Sequence, residues 1–277
     1  MMKWFHFILS HSIFIAICAV ALALQTAQLL QFTNNVFVYG FVFFATLCSY
    51  NFYWLLSKTV LSSNKMLSDL IKKEQSGLFL MLIAAVGLLY CFFQSGLSVY
   101  YVLTAIALTC LYAVPLLPFK FLQFTRRAGV LKTFLLAFTW AYVTVFIPIQ
   151  KTYWDLDNSD IFIFTRRFLF MLMLCIIFDN RDKAVDKIRG LHSLATDLKP
   201  MVLKILIYII FAVLFISNLF YKDFNIHYYH SIGLQVSTLA LLIVYFYSQK
   251  KQGYFFYYFV VDGMMLFSAL ATFIAGI

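Results

Sequence analysis

The sequence predicts an all-α integral membrane protein, a bundle of about nine transmembrane helices forming a single domain over residues 1–277. Three observations carry this expectation. Of the 277 residues, 64% are hydrophobic and only 12% charged, where a soluble domain carries about 25% charged residues. Mean hydropathy is +0.89. Apolar runs recur at close to the ~20 residues that a helix needs to cross a bilayer, and Lys and Arg gather in alternate gaps between them.

The first run, Trp4 to Leu30, follows a single Lys3. Ala19-Val20-Ala21 resembles a leader-cleavage site, but the apolar run continues past it, which favours a membrane helix over a leader. The later runs are Val36–Val60, Gly77–Phe93, Ser98–Leu117, Val130–Ile149, Ile161–Phe178, Met201–Tyr221, Ile232–Tyr247 and Tyr254–Ile277. No loop between them is long enough for a soluble domain, and no internal repeat or low-complexity block interrupts them.

The net charge of +10 is not a nucleic-acid signal, because nearly all of it lies between apolar runs. One set of loops holds Lys3, then Lys58, Lys65, Lys72 and Lys73, then Lys120, Arg126, Arg127 and Lys132. The same set continues with Arg181, Lys183, Lys187, Arg189, Lys199 and Lys204, and ends with Lys250 and Lys251. The opposite set holds only Lys151 and Lys222, with Arg166 and Arg167 near the start of the sixth span. Basic loops face the cytoplasm, so the N-terminus is expected inside and the C-terminus outside. The acidic residues Asp155, Asp157 and Asp160 fall in an outer loop, where they are expected to pair with the two arginines. The five cysteines, Cys18, Cys48, Cys91, Cys110 and Cys175, each lie within an apolar run and read as small buried hydrophobes.

One polar stretch follows the sixth span, from Phe178 to Pro200. Asp179, Asp182 and Asp186 stand three and four residues apart, which puts them on one face if the helix continues. Stacked carboxylates repel one another and call for a cation or basic partners. Arg181, Lys183, Lys187 and Arg189 are interleaved with them, so a solvated helix end of mixed charge fits the same spacing.

Nine spans, the Asp-x2-Asp-x3-Asp pattern of Asp179, Asp182 and Asp186, and Gly190, Ser193 and Leu194 beyond it resemble the UbiA superfamily of membrane prenyltransferases. The resemblance extends to Tyr112–Lys120 after the fourth span and to Gly129, Lys132 and Trp140 entering the fifth. It implies Mg²⁺-assisted transfer of a prenyl group from a prenyl diphosphate to an acceptor. Two Asp-rich motifs would face each other across a cavity, with the prenyl chain between helices. On this resemblance Asp179, Asp182 and Asp186 hold the metal, and Lys120, Arg126 and Lys132 grip the phosphate oxygens. Tyr112 and Asn51 complete the substrate contacts. The chemistry is consistent: an allylic diphosphate departs only if its charge is neutralised as the bond breaks, and Mg²⁺ takes oxygen ligands.

The sequence departs from the family at the first motif, typically Asn-Asp-x-x-Asp-x-x-x-Asp at the inner end of the second span. Asn51 matches, but Phe52, Leu55 and Thr59 stand where the carboxylates would be. A non-catalytic member that keeps a lipid-binding cavity is therefore the alternative. A transporter built on Asp262, a carboxylate inside the last span, and on the paired arginines is a more distant one, because inverted repeats and broken spans are not evident. His227 and His230 read as part of an interfacial aromatic cluster rather than a metal pair, and His192 as a solvated loop histidine.

Overall fold

The computed structural model describes residues 2–61, 75–113, 129–189, 192–220, 222–224 and 226–277. Helix α1 (Met2–Ser10) leads into α2 (Ile13–Leu29) through a 66° bend. Ser12 supplies the bend with a left-handed backbone, φ 63°. The expected first span is thus a broken one. Then come α3 (Val36–Leu61), α4 (Gln75–Ser95), α5 (Val99–Ala113) and α6 (Gly129–Ala141). Helix α6 runs on through a π-helical segment (Tyr142–Phe146) to Ile147–Ile149.

The long α7 (Asn158–Arg189) is followed by the short α8 (Leu194–Asp197), α9 (Pro200–Ser217), α10 (Tyr228–Ser248) and α11 (Asp262–Ala275). Helix α11 is preceded by a second π-helical segment, Phe256–Val261. Local chemistry sets several ends. Asp160 sits in the first turn of α7, where the helix dipole favours a carboxylate. The Thr196 hydroxyl accepts from the Ser193 backbone N–H at 2.8 Å at the start of α8, and Pro200 opens α9 at a position where a missing N–H is harmless.

Among the described residues, seven helices are long and apolar enough to cross a membrane, or eight if the bent pair is one span. The expected nine is not confirmed among these residues. Of the run from Ser98 to Leu117 the described part is the 15-residue α5, about 22 Å at 1.5 Å per residue, and residues 114–128 lie outside the described ones.

Helix α7 is the axis of the bundle. Every residue from Phe170 to Ile177 is buried, so it is apolar all round, as a helix enclosed by others must be. Helix α6 packs along it on one side, and α9, α10 and the π segment before α11 meet it on others. Helix α4 lies at the rim, packed on α3 and otherwise facing outward with Phe79, Leu82, Val86, Leu89 and Phe93 exposed. Those side chains are in place for lipid.

In lipid, helices associate by close packing and hydrogen bonds rather than by leaving water. Both occur here. The Thr26 hydroxyl of α2 donates to the Thr144 carbonyl in the first π segment at 2.8 Å, while Gln25 donates to the Ser268 carbonyl of α11 at 2.9 Å. The backbones of α10 and α11 touch at Gly233, where a Cβ would stand 2.6 Å from the Ala271 carbonyl oxygen and 2.7 Å from Thr272 Cα. Gly253, by contrast, has open space around it. Gly233→Ala is expected to destabilise the fold by about 1–3 kcal/mol, the usual range for overpacking, with Gly253→Ala near neutral. Thermal unfolding in detergent measures both, and equal melting temperatures would show that the α10–α11 contact yields freely.

Candidate functional site

The polar cluster forms where α7 emerges from the core after Ile177. Asp179 turns toward α6 and accepts a hydrogen bond from the Thr133 hydroxyl at 2.6 Å. Gly129 makes that approach possible, since a Cβ there would run into the His192 and Ser193 backbone. One turn of α6 therefore seats against the chain that follows α7. Lys132, next to Thr133, lies within electrostatic reach of Tyr53, Asp179, Asp186 and Asp182. Its ammonium also stands 6.0 Å from the centre of the Tyr112 ring, and Tyr112 stacks on Tyr53 at 5.2 Å. Asp186 is buried.

Asp182 has a different environment. Arg181 forks onto it, with Nε and Nη2 each 2.7 Å from a carboxylate oxygen. The same guanidinium lies over three rings, 4.9 Å from Phe178, 5.0 Å from Tyr257 and 5.1 Å from Tyr258. Tyr257 and Tyr258 belong to the π segment before α11. An extra residue per turn re-aims side chains there, and two tyrosines come to face one arginine. Asp262, one residue beyond, is buried near Tyr50, Cys18 and Cys175, with Arg181 as the cation in its field.

Lys132 thus has Tyr112, Asp179 and Asp186 around it. The structure adds Tyr53, Thr133 and Arg181, which the spacing did not single out. Thr133 was not marked by any charge or motif, but its place one residue after Lys132 was the available signal. The three carboxylates do not converge on one point. Among the described residues no group of three His, Cys, Asp or Glu is gathered to hold a metal ion. Asn51 spends its amide on the His11 carbonyl at 3.1 Å and the Leu47 carbonyl at 2.8 Å, tying α3 to the bend between α1 and α2. Lys120 and Arg126 lie outside the described residues.

Other expectations resolve simply. His230 bonds the Thr272 carbonyl at 3.1 Å and meets His227 edge-on, while His192 pairs with Asp197 at 2.6 Å. All five cysteines are free. The acidic loop does not pair with the arginines, contrary to expectation. Lys151 takes Asp157 at 2.6 Å and Asp160 at 2.8 Å, and the Thr152 hydroxyl takes Asp155.

No family model matches the sequence, and no curated protein does. Among solved structures, a digeranylgeranylglyceryl phosphate synthase in membranes is similar over 99% of this chain and 99% of its own, with a TM-score of 0.50 and 14% identity. The two chains share a fold. The likeness spans both chains nearly end to end.

The three aspartates are therefore not equivalent. Thr133→Val removes the only neutral hydroxyl held on the half-buried Asp179 carboxylate among the described contacts and is expected to cost about 1–2 kcal/mol. Asp182→Asn weakens a half-exposed pair and should cost under about 1 kcal/mol. Unfolding of the two variants in detergent separates these, and the reverse order would refute the assignment of Asp179 as the inward carboxylate.

Proposed function

We propose that this chain is a membrane prenyltransferase that binds a prenyl diphosphate at the Asp179 end of α7 and passes the prenyl group to an acceptor. The observation that supports it most is the convergence of Lys132, Tyr53, Tyr112 and Asp179 from four helices within a fold shared with such an enzyme. In the reaction the allylic C–O bond breaks and its electron pair leaves with the diphosphate. A nucleophilic atom of the acceptor then bonds to the allylic carbon and gives up its proton. Lys132 offsets the charge that develops on the leaving group, together with Lys120 and Arg126 from the adjoining loop. The stacked tyrosine faces suit the cationic allylic carbon. With the basic loops inside, this end opens to the cytoplasm, and the prenyl chain extends into the bilayer along exposed apolar helix faces.

Mg²⁺ is the ion the resemblance implies, and the described residues do not fit a caged Mg²⁺ site. Asp182 is committed to Arg181, and Asp179 already accepts from Thr133. On α3, a half-exposed Phe52 and Leu55 stand where carboxylates would be. The same replacement favours a second reading, in which the protein binds a prenyl lipid without turning it over.

The test is equilibrium binding of a labelled long-chain prenyl diphosphate to the purified protein, with Mg²⁺ and with EDTA, followed by assay of diphosphate release with a phenolic or alcohol acceptor. Saturable binding that survives EDTA and falls about tenfold in Lys132→Met, with release of diphosphate, is the expected result. Binding without release would move the conclusion to the second reading. Absence of saturable binding would remove both.

A further inference from the structure

The opposite half of α7 carries a second charged site that the proposed reaction does not use. Arg166 and Arg167 are consecutive, and Arg166 lies eight residues from the start of α7, about 12 Å along its axis. Both are inside the bundle, with exposures of 7% and 5%. Arg166 donates to the Leu214 carbonyl at 2.9 Å and to the Ser217 hydroxyl. Arg167 donates through Nη2 to the Leu22 carbonyl at 3.1 Å and the Thr26 hydroxyl at 3.3 Å. These partners are all neutral. Among the described residues no carboxylate bridges either guanidinium, and Asp157 and Asp160 of the preceding loop and first turn pair with Lys151.

Nη1 of Arg167 is fully buried and has no hydrogen-bond partner. A cavity of about 30 Å³ adjoins both arginines, lined also by Gln25, Ser237, Thr238 and Ser268 and by leucines of α2, α9 and α10. No acidic side chain lines it. Two adjacent cations in a medium that cannot solvate them need a counter-charge. A water molecule would satisfy the free N–H but would leave the charge uncompensated. The space admits one or two water-sized bodies, too little for a lipid phosphate headgroup.

We propose that this cavity is a binding site for one small monovalent anion of chloride size, held by Arg167 Nη1 and the field of Arg166. The anion would offset one of the two positive charges and join α2 to α7, α9 and α10 where the cavity separates them. The site stands independently of the prenyl-transfer reading, since the two lie in opposite halves of α7.

The test compares the purified protein in chloride, bromide, phosphate and gluconate at fixed ionic strength, reading thermal unfolding. Chloride and bromide should raise the melting temperature saturably, and gluconate should not. Arg167→Gln should raise the half-saturating chloride concentration about tenfold or more, while Lys250→Gln, in an exposed loop, leaves it unchanged. Equal melting in chloride and gluconate overturns the proposal, as does an unchanged chloride response in Arg167→Gln. Stabilisation by phosphate alone overturns the monovalent class. Should Arg167→Gln fail to fold, anomalous scattering from bromide in crystals of the unaltered protein decides: a peak beside Arg167 supports the site, and none there refutes it.

Discussion

The structure depends on one constraint: α7 buries charge at both ends of an apolar stretch, in surroundings that offer no water to solvate it. Between Phe170 and Ile177 every side chain of that helix is enclosed, which places α7 at the centre of the bundle. A central helix cannot turn its polar residues toward solvent by rotating. Each charged group at its ends must find a partner on whichever neighbouring helix it faces. The arrangement of α2, α6, α9 and the last span around α7 answers that requirement residue by residue.

At the Asp179 end the answers differ across the face. Toward α6 the carboxylate of Asp179 is met by a hydroxyl and by the field of a lysine. Toward the last span, Arg181 covers Asp182 and is itself covered by aromatic rings. A guanidinium suits this second place because its plane stacks on rings while its edge forks onto a carboxylate. Charge is thereby divided between a side that faces α6 and a sealed side. The π segment that presents Tyr257 and Tyr258 makes the sealed side possible.

The other end of α7 meets the same constraint with neutral partners alone. Carbonyls and hydroxyls of α2 and α9 take most of the guanidinium donors, yet they supply no negative charge. The carboxylates of Asp157 and Asp160 pair with Lys151 instead.

By itself the sequence determined the solvent of the fold and most of its spans, because apolar length and loop charge act through the bilayer without reference to any neighbour. It marked Tyr112, Lys132, Asp179 and Asp186 as candidates, since polar residues at the ends of apolar runs are conspicuous. It did not show the bend at Ser12, which depends on a backbone conformation that hydropathy does not record. It read Asp182 as the equal of Asp179, because helical spacing gives a shared face but not which neighbour that face meets. Thr133, the aromatic cover on Arg181 and the acid-free surroundings of Arg166 and Arg167 belong to contacts between segments distant in sequence. Only the tertiary structure decides those, because which partner a buried charge receives depends on the helices packed around it.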